Sequence, residues 1–355
     1  MTALADILLR RIATSGPMTL GDYMSECLLH PEHGYYTRSE PFGTAGDFIT
    51  APEVSQMFGE MLGLALAQAW MDQGQPARFV LAEPGPGRGT LMADILRATR
   101  AVPGFHAALS VHLIEASSRL RDFQRDKLKD AQVTWHDHLS ELPDNQPLYL
   151  VANEFFDALP IRQFQRADQG WHEVVVAAPN GALTLALSAA APIAALDSRL
   201  SDSEPGDIVE TCPSAAPAIA GIASQIATHG GAALILDYGG WRSKGDTFQA
   251  LRNHEPLDPL SHCGEADLTA HVDFEALAQA ATPVLSADYT EQGAFLERLG
   301  ITHRAQTLAQ RLSGDALEQH IAAHRRLTHP QEMGTLFKVL GLRPHDAPQL
   351  PGFAA

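Results

Sequence analysis

Apolar residues Leu4, Ile7, Leu8 and Ile12 recur at three- and four-residue intervals, which predicts an amphipathic helix over 2–14. Similar spacing predicts helices over 19–29 and 52–72, with Pro52 suited to a first turn and Thr50 or Ala51 near the cap. Between them, "HPEHGYYTRSEPFGTAGDFITAPEVSQ" (30–56) is rich in Gly, Pro and aromatic residues and fits no regular element. A stretch this long inside a globular chain is usually functional or disordered, and its aromatics and Asp47 argue against disorder.

From residue 77 the pattern changes. The apolar run at 79–82 reads as a short buried strand, 109–117, 132–136 and 147–154 as three further strands, and helical spacing covers 90–100 and 118–129. Strands alternating with helices predict a parallel, doubly wound α/β sheet. Residues 161–166, 171–178 and 183–189 read instead as antiparallel strands, with "PNG" (179–181) as a hairpin turn. A helix near 214–229, a central strand at 231–240, an irregular stretch at 241–270 and a helix at 273–281 follow. The chain then reads as a strand at 283–288, two or three helices over 291–328 and a last strand within 335–342. The expected division is an N-terminal helical region (1–76) with a long loop, a sheet domain (77–343) with insertions at about 160–230 and 241–270, and a tail (344–355).

In an open parallel sheet, ligands sit at the carboxyl ends of the strands, so the exit of the first strand is the expected cradle. There the chain reads "FVLAEPGPGRGTLMADIL" (79–96), with Gly85, Gly87 and Gly89 at alternate positions. Glycine permits positive φ and lets backbone N–H groups approach a ligand. The spacing departs from G-x-G-x-x-G of dinucleotide folds, and no lysine completes a Walker loop. It matches E/D-x-G-x-G-x-G, the first motif of class I S-adenosylmethionine (SAM) methyltransferases. Glu83 suits the cationic methionyl end of SAM and would repel a pyrophosphate. Glu115, ending the second strand, can accept both ribose hydroxyls, and Asp137, after the third, can meet the adenine amino group.

The fourth strand ends in "VANEFFDALPI" (151–161), which puts Asn153, read as a cofactor-binding residue, and Glu154 beside the expected methyl donor. The N-x-x-F shape is only loosely similar to (N/D)PP(Y/F), and both prolines are absent, which argues against DNA adenine methylation. Glu154 and Asp157 are three apart, so on a turn or helix start they share a face. A carboxylate pair is what a guanidinium acceptor needs, because it binds the planar fork and localises its charge. The alternative for Asp157 is a cap on the following turn. Asp237-Tyr238 ends a further strand, with a substrate-side or a plain strand-end role. His136 and His138 straddle Asp137 without a further ligand pattern, so no metal site is expected.

Composition narrows the partners. A formal net charge of −17 and a pI near 5.3 repel nucleic acid and anionic membranes and favour cationic partners. The longest basic runs are pairs, Arg10–Arg11 and Arg325–Arg326. Three cysteines far apart in sequence, with no CxxC, fit a reducing compartment. No apolar segment approaches the roughly 18 residues that span a bilayer, so no membrane insertion is expected. The N-terminus lacks a small-residue cleavage site; it is amphipathic with two arginines, which leaves a mitochondrial presequence as the alternative.

Five stretches together resemble the MidA-type SAM-dependent methyltransferases, relatives of the mitochondrial complex I assembly factor that methylates an arginine of a core subunit. They are "GDFITAPEVSQMFGEMLG" (46–63), "EPGPGRGTL" (83–91), "ANEFFDALPIRQF" (152–164), "LILDYG" (234–239) and "MGTLFKVL" (333–340). The resemblance runs from about residue 4 to 343. It implies a Rossmann-like seven-stranded sheet, SAM as cofactor with S-adenosyl-homocysteine as product, and a protein arginine acceptor in a respiratory complex I subunit during assembly. The absence of a clear presequence suggests a bacterial member, cytoplasmic, with the mitochondrial matrix expected if the source is eukaryotic. The resemblance also implies that Gly46, Asp47 and Phe48, with Ser55 and Gln56, form a lid on which Asp47 adds a carboxylate facing the substrate. A non-catalytic SAM-binding assembly chaperone and a small-molecule methyltransferase are the competing readings. Oligomeric state stays open, although the hairpin at 171–189 could extend a sheet edge.

Overall fold

In the computed structural model, which describes residues 2–38, 50–282 and 284–354, the apolar runs after residue 77 form one sheet. Its strands are β1 (Phe79–Pro84), β2 (Leu109–Ile114), β3 (Val133–His136), β4 (Leu148–Asn153), β5 (Gly231–Gly240), β6 (Ser286–Glu291) and β7 (Phe337–Arg343). Their order along the sheet is β3-β2-β1-β4-β5-β7-β6. β1 to β5 run parallel, and β7 is antiparallel to both β5 and β6. Every residue of β1 and β4 is buried, as strands covered on both faces require, which is why they read as unbroken apolar runs. The strand order reverses between β1 and β4, so the crevice for a ligand lies at their carboxyl ends.

The unit that holds this sheet comprises Ile49–Phe156, Pro217–Gly239 and Phe274–Ala355. Its core joins the strands to α1 (Gln56–Asp72) and α2 (Thr90–Thr99). The two helices approach closely because α1 carries Gly59 and Gly63 one turn apart. A Cβ on Gly63 would lie 2.9 Å from Ile95 Cα, and one on Gly59 would lie 2.6 Å from Asp94 Cβ. The single helix expected over 52–72 is instead two, Ala51–Val54 and α1. Ser55 between them is extended (φ −162°, ψ 139°), and its hydroxyl accepts from Met57 N–H, so a good N-cap residue ends one helix and starts the next. Pro52 falls in the first turn, as expected.

The other unit comprises Met1–Phe48, Asp157–Ala216 and Gly240–Asp273. Helices Ala3–Ser15 and Leu20–Leu29 bury Leu4, Leu8, Ile12, Tyr23 and Cys27 in its main core. Strands Arg162–Arg166 and Trp171–Ala177 pair antiparallel, as their alternation predicts, and Thr184–Leu187 adds to the second of them. Two pairings escaped the sequence reading. Ile208–Thr211 extends the sheet beyond Arg162–Arg166, and Met18–Thr19 pairs with Val175–Val176. The stretch expected to be irregular, 241–270, holds a three-stranded sheet of Gln249–Arg252, Glu255–Leu257 and Asp267–Thr269. Asn253 and His254, both at positive φ, form its two-residue hairpin turn. Cys27 and Cys263, distant in sequence, are both buried in this core, where the Tyr23 hydroxyl lies 3.2 Å from Cys263 Sγ.

Candidate functional site

β1 ends on Glu83 and Pro84 and turns through three glycines, all left-handed: Gly85 (φ 62°), Gly87 (φ 51°) and Gly89 (φ 78°). This backbone is strained for other residues, so the alternate spacing is a conformational requirement. Gly85 N–H donates to Ile114 O at 3.0 Å, Gly89 N–H donates to Pro86 O at 2.7 Å, and Gly89 then caps α2. A Cβ on Gly85 would come within 3.1 Å of the Phe155 ring, so the turn also lacks room for side chains. The Glu83 carboxyl is 3% exposed, and its Oε2 has no hydrogen-bond partner among the described residues. Burial pushes it up to about 8, against a bond from Met92 N–H.

Glu115, just past β2, is also buried. Its Oε1 accepts from Ser117 N–H at 2.8 Å and its Oε2 from Gln124 Nε2 at 3.3 Å. Burial pushes this carboxyl up to about 7, opposed by those two bonds and by Arg121. Gln124, on α3 (Ser118–Lys127), escaped the sequence reading. It is fully buried, Nε2 also donates to Gly87 O at 2.8 Å, and Oε1 accepts from Trp135 Nε1 at 2.8 Å. One side chain thus ties the glycine turn, the acid after β2 and β3 together. Its signal was spacing, because Leu120, Gln124 and Leu128 form one buried stripe on an otherwise polar helix. Asp137 differs from the other two acids. Its side chain is 64% exposed and pairs with Arg121 Nη2 at 2.6 Å.

At the end of β4, Asn153 is 8% exposed, and Glu154 adopts φ 50°, rare for a non-glycine residue. Glu154 N–H still donates to Leu236 O of β5 at 2.9 Å. Its Oε1 accepts from Asn153 Nδ2 at 2.9 Å and from the Ala51 N–H, in the first turn of Ala51–Val54, at 3.0 Å. Asp237, fully buried at the end of β5, accepts from Phe156 N–H at 3.0 Å and so holds the chain leaving β4. Of the turn or helix start expected at 154–157, no helix forms: Glu154 is left-handed and the chain reaches a turn only at 157–158. Helical spacing therefore does not set the relation of Glu154 to Asp157. Asp157 belongs to the other unit, is 6% exposed, and accepts from Ala270 N–H through its carbonyl at 3.0 Å. Asp47, with Gly46 and Phe48, lies outside the described residues.

A sheet ordered 3-2-1-4-5-7-6 with an antiparallel seventh strand, turning through left-handed glycines at the exit of its first, defines a class I SAM-dependent methyltransferase. The glycine cradle and the unpartnered buried oxygen of Glu83 fit that cofactor. The family model described as "Putative S-adenosyl-L-methionine-dependent methyltransferase" matches residues 61–291, and the chain belongs to this family. The chain is 37% identical over 366 residues to the mouse protein arginine methyltransferase NDUFAF7, mitochondrial, covering 96% of this chain and 84% of the relative. The human protein of the same name is 36% identical over 96% of this chain and 83% of its own. A crystal structure from Burkholderia thailandensis bound to S-adenosyl-homocysteine superimposes with a TM-score of 0.85 at 30% identity, covering 99% of this chain and 94% of that one. No helix among the described residues is long and apolar enough to cross a membrane.

Proposed function

We propose that this enzyme methylates arginine side chains of a protein acceptor. The observation that carries the reading is the Glu154 carboxylate, held by two donors in a left-handed conformation where β4 leaves the sheet. Backbone strain of this kind, about 1–3 kcal/mol, persists where the surroundings fix it, and it clusters at functional sites. The relatives named protein arginine methyltransferases support the same acceptor class. The family resemblance supports the narrower reading of a respiratory complex I subunit during assembly, with the enzyme working in the cytoplasm of a bacterium or the matrix of a mitochondrion. The chain's net charge of −17 favours encounter with a cationic acceptor.

Bound SAM supplies a methyl group already activated by its positive sulfur. In this proposal Glu83 answers the methionyl ammonium, Glu115 accepts the ribose hydroxyls, and the turn Gly85–Gly89 gives close backbone contact. Asp137 stands at the adenine end, where the Arg121 pair fixes its carboxylate. Glu154 grips the guanidinium. The attacking nitrogen gives its electron pair to the methyl carbon, the carbon–sulfur pair stays on sulfur, and one nitrogen-bound proton leaves to solvent. Orientation and charge placement supply the rate.

Glu154→Gln keeps the shape and removes the charge. It is expected to cut methyl transfer by about a hundredfold or more while S-adenosyl-homocysteine still binds by calorimetry. The assay uses tritiated-methyl SAM and extract from cells lacking the gene, followed by amino-acid analysis for methylarginine. Wild-type label outside arginine, or normal transfer by the variant, overturns the reading.

A further inference from the structure

Asn153 divides its amide between two duties. Nδ2 donates to Glu154 Oε1 at 2.9 Å, whereas Oδ1, also buried, has no partner among the described residues. The orientation follows from chemistry, because an ionised carboxylate only accepts and the NH2 end must face it. An unmade buried acceptor costs about 1–3 kcal/mol, so Oδ1 is poised for a donor that arrives with a ligand. Two ligand donors compete for that oxygen: the ammonium of the cofactor and an N–H of the methyl acceptor.

The neighbouring strand separates them. β1 ends at Glu83, which has its own buried, unpartnered carboxylate oxygen, and a carboxylate is the stronger partner for an ammonium. Asn153 is instead bonded to Glu154, the carboxylate on the acceptor side in the reading above. A guanidinium gripped by Glu154 has further N–H groups in the same plane, and an amide oxygen beside that carboxylate can take one of them.

We propose that Asn153 is an acceptor-side specificity residue and not a cofactor ligand. Its Oδ1 accepts one guanidinium N–H, which fixes the plane of the attacking nitrogen, and its Nδ2 locks the Glu154 rotamer. The proposal rests on the arginine reading.

The test uses the full chain with Asn153→Ala and the near-isosteric Asn153→Asp, each checked for a wild-type-like unfolding transition. For Asn153→Ala, S-adenosyl-homocysteine affinity is expected to stay within about threefold, while methyl transfer to the extract falls by about a hundredfold. Asn153→Asp places a second carboxyl against Glu154. Like charges raise one pKa of such a pair, so the acid limb of the rate–pH profile should move to higher pH. The moved limb reads the Asn153–Glu154 contact during turnover, and the loss of transfer at kept S-adenosyl-homocysteine affinity in Asn153→Ala reads the acceptor side. A loss of S-adenosyl-homocysteine affinity of about tenfold or more makes Asn153 a cofactor ligand and overturns the proposal. Undiminished transfer by Asn153→Ala, or an unmoved acid limb in Asn153→Asp, also overturns it. If Asn153→Ala does not fold, Asn153→Asp supplies both the affinity and the pH readings. Wild-type label recovered outside arginine overturns the arginine reading separately, whatever the variants do.

Discussion

Gln124 shows how much of the proposed cofactor cradle hangs on one buried amide. Its amide is the only described side chain bonded at once to the glycine turn, the acid after β2 and the indole of β3. Replacing it with Ala strands Gly87 O and Trp135 Nε1 and leaves Glu115 with one donor fewer. Each buried orphan costs about 1–3 kcal/mol, but part of that falls on stability and part on binding. Gln124→Ala is therefore expected to lower the unfolding midpoint and to weaken S-adenosyl-homocysteine at least about tenfold by calorimetry. Unchanged affinity would mean that the turn holds its shape without the amide. Apart from its spacing with Leu120 and Leu128, nothing in the largely polar "SSRLRDFQRDK" marks this residue, and only the folded strands show what position 124 reaches. Glu83 and the three glycines were legible because their chemistry is local: an acid at a strand end, then positions that need positive φ. The left-handed backbone of Glu154 was not, since no residue type announces it.

Among the elements, α1 and α2 set the position of the turn. Gly89 caps α2, so a shift of the helix axis moves the cradle. Gly63→Ala puts opposing effects on one site. Helix propensity favours alanine by about 1 kcal/mol, but its Cβ would sit 2.9 Å from the Ile95 backbone, which cannot rotate away. Overpacking typically costs about 1–3 kcal/mol, so net destabilisation is expected in denaturant titration, together with weaker S-adenosyl-homocysteine binding. A more stable variant would show that the helices separate freely. The same scale explains what could be read in advance. The parallel strands β1 and β4 are buried along their whole length and stand out as apolar runs between helices. The strands of the other unit are mostly three to five residues long with mixed burial, as in Gln249–Arg252 and Ile208–Thr211, and some pair across long separations, as Arg162–Arg166 does with Ile208–Thr211. The break at Ser55 was missed because apolar spacing continues across it while one hydroxyl changes the cap.

For the whole molecule, the buried carboxyls couple folding and ligand binding to pH. Glu83 holds its proton up to about 8 in the ligand-free fold, whereas a glutamate in the unfolded chain releases it near about 4.3. Between those values the native state binds more protons than the unfolded state, so stability falls as pH rises from about 5 to 8 and then levels. Glu115, held up to about 7, adds to the fall over the lower part of that window. A cationic ligand group beside Glu83 reverses the preference, because it favours the ionised carboxylate. S-adenosyl-homocysteine binding below pH 8 should therefore release a proton, and affinity should climb by up to about tenfold per pH unit until it levels above 8. Calorimetry at pH 6.5 in buffers of different ionisation enthalpy counts that proton. Glu83→Gln should abolish the release attributable to this residue, flatten the affinity profile and remove its part of the stability slope. Affinity independent of pH from 6 to 8, with no proton released by the wild-type protein, would sink the assignment of Glu83 to the ammonium. Release that persists undiminished in Glu83→Gln would move the linkage to Glu115.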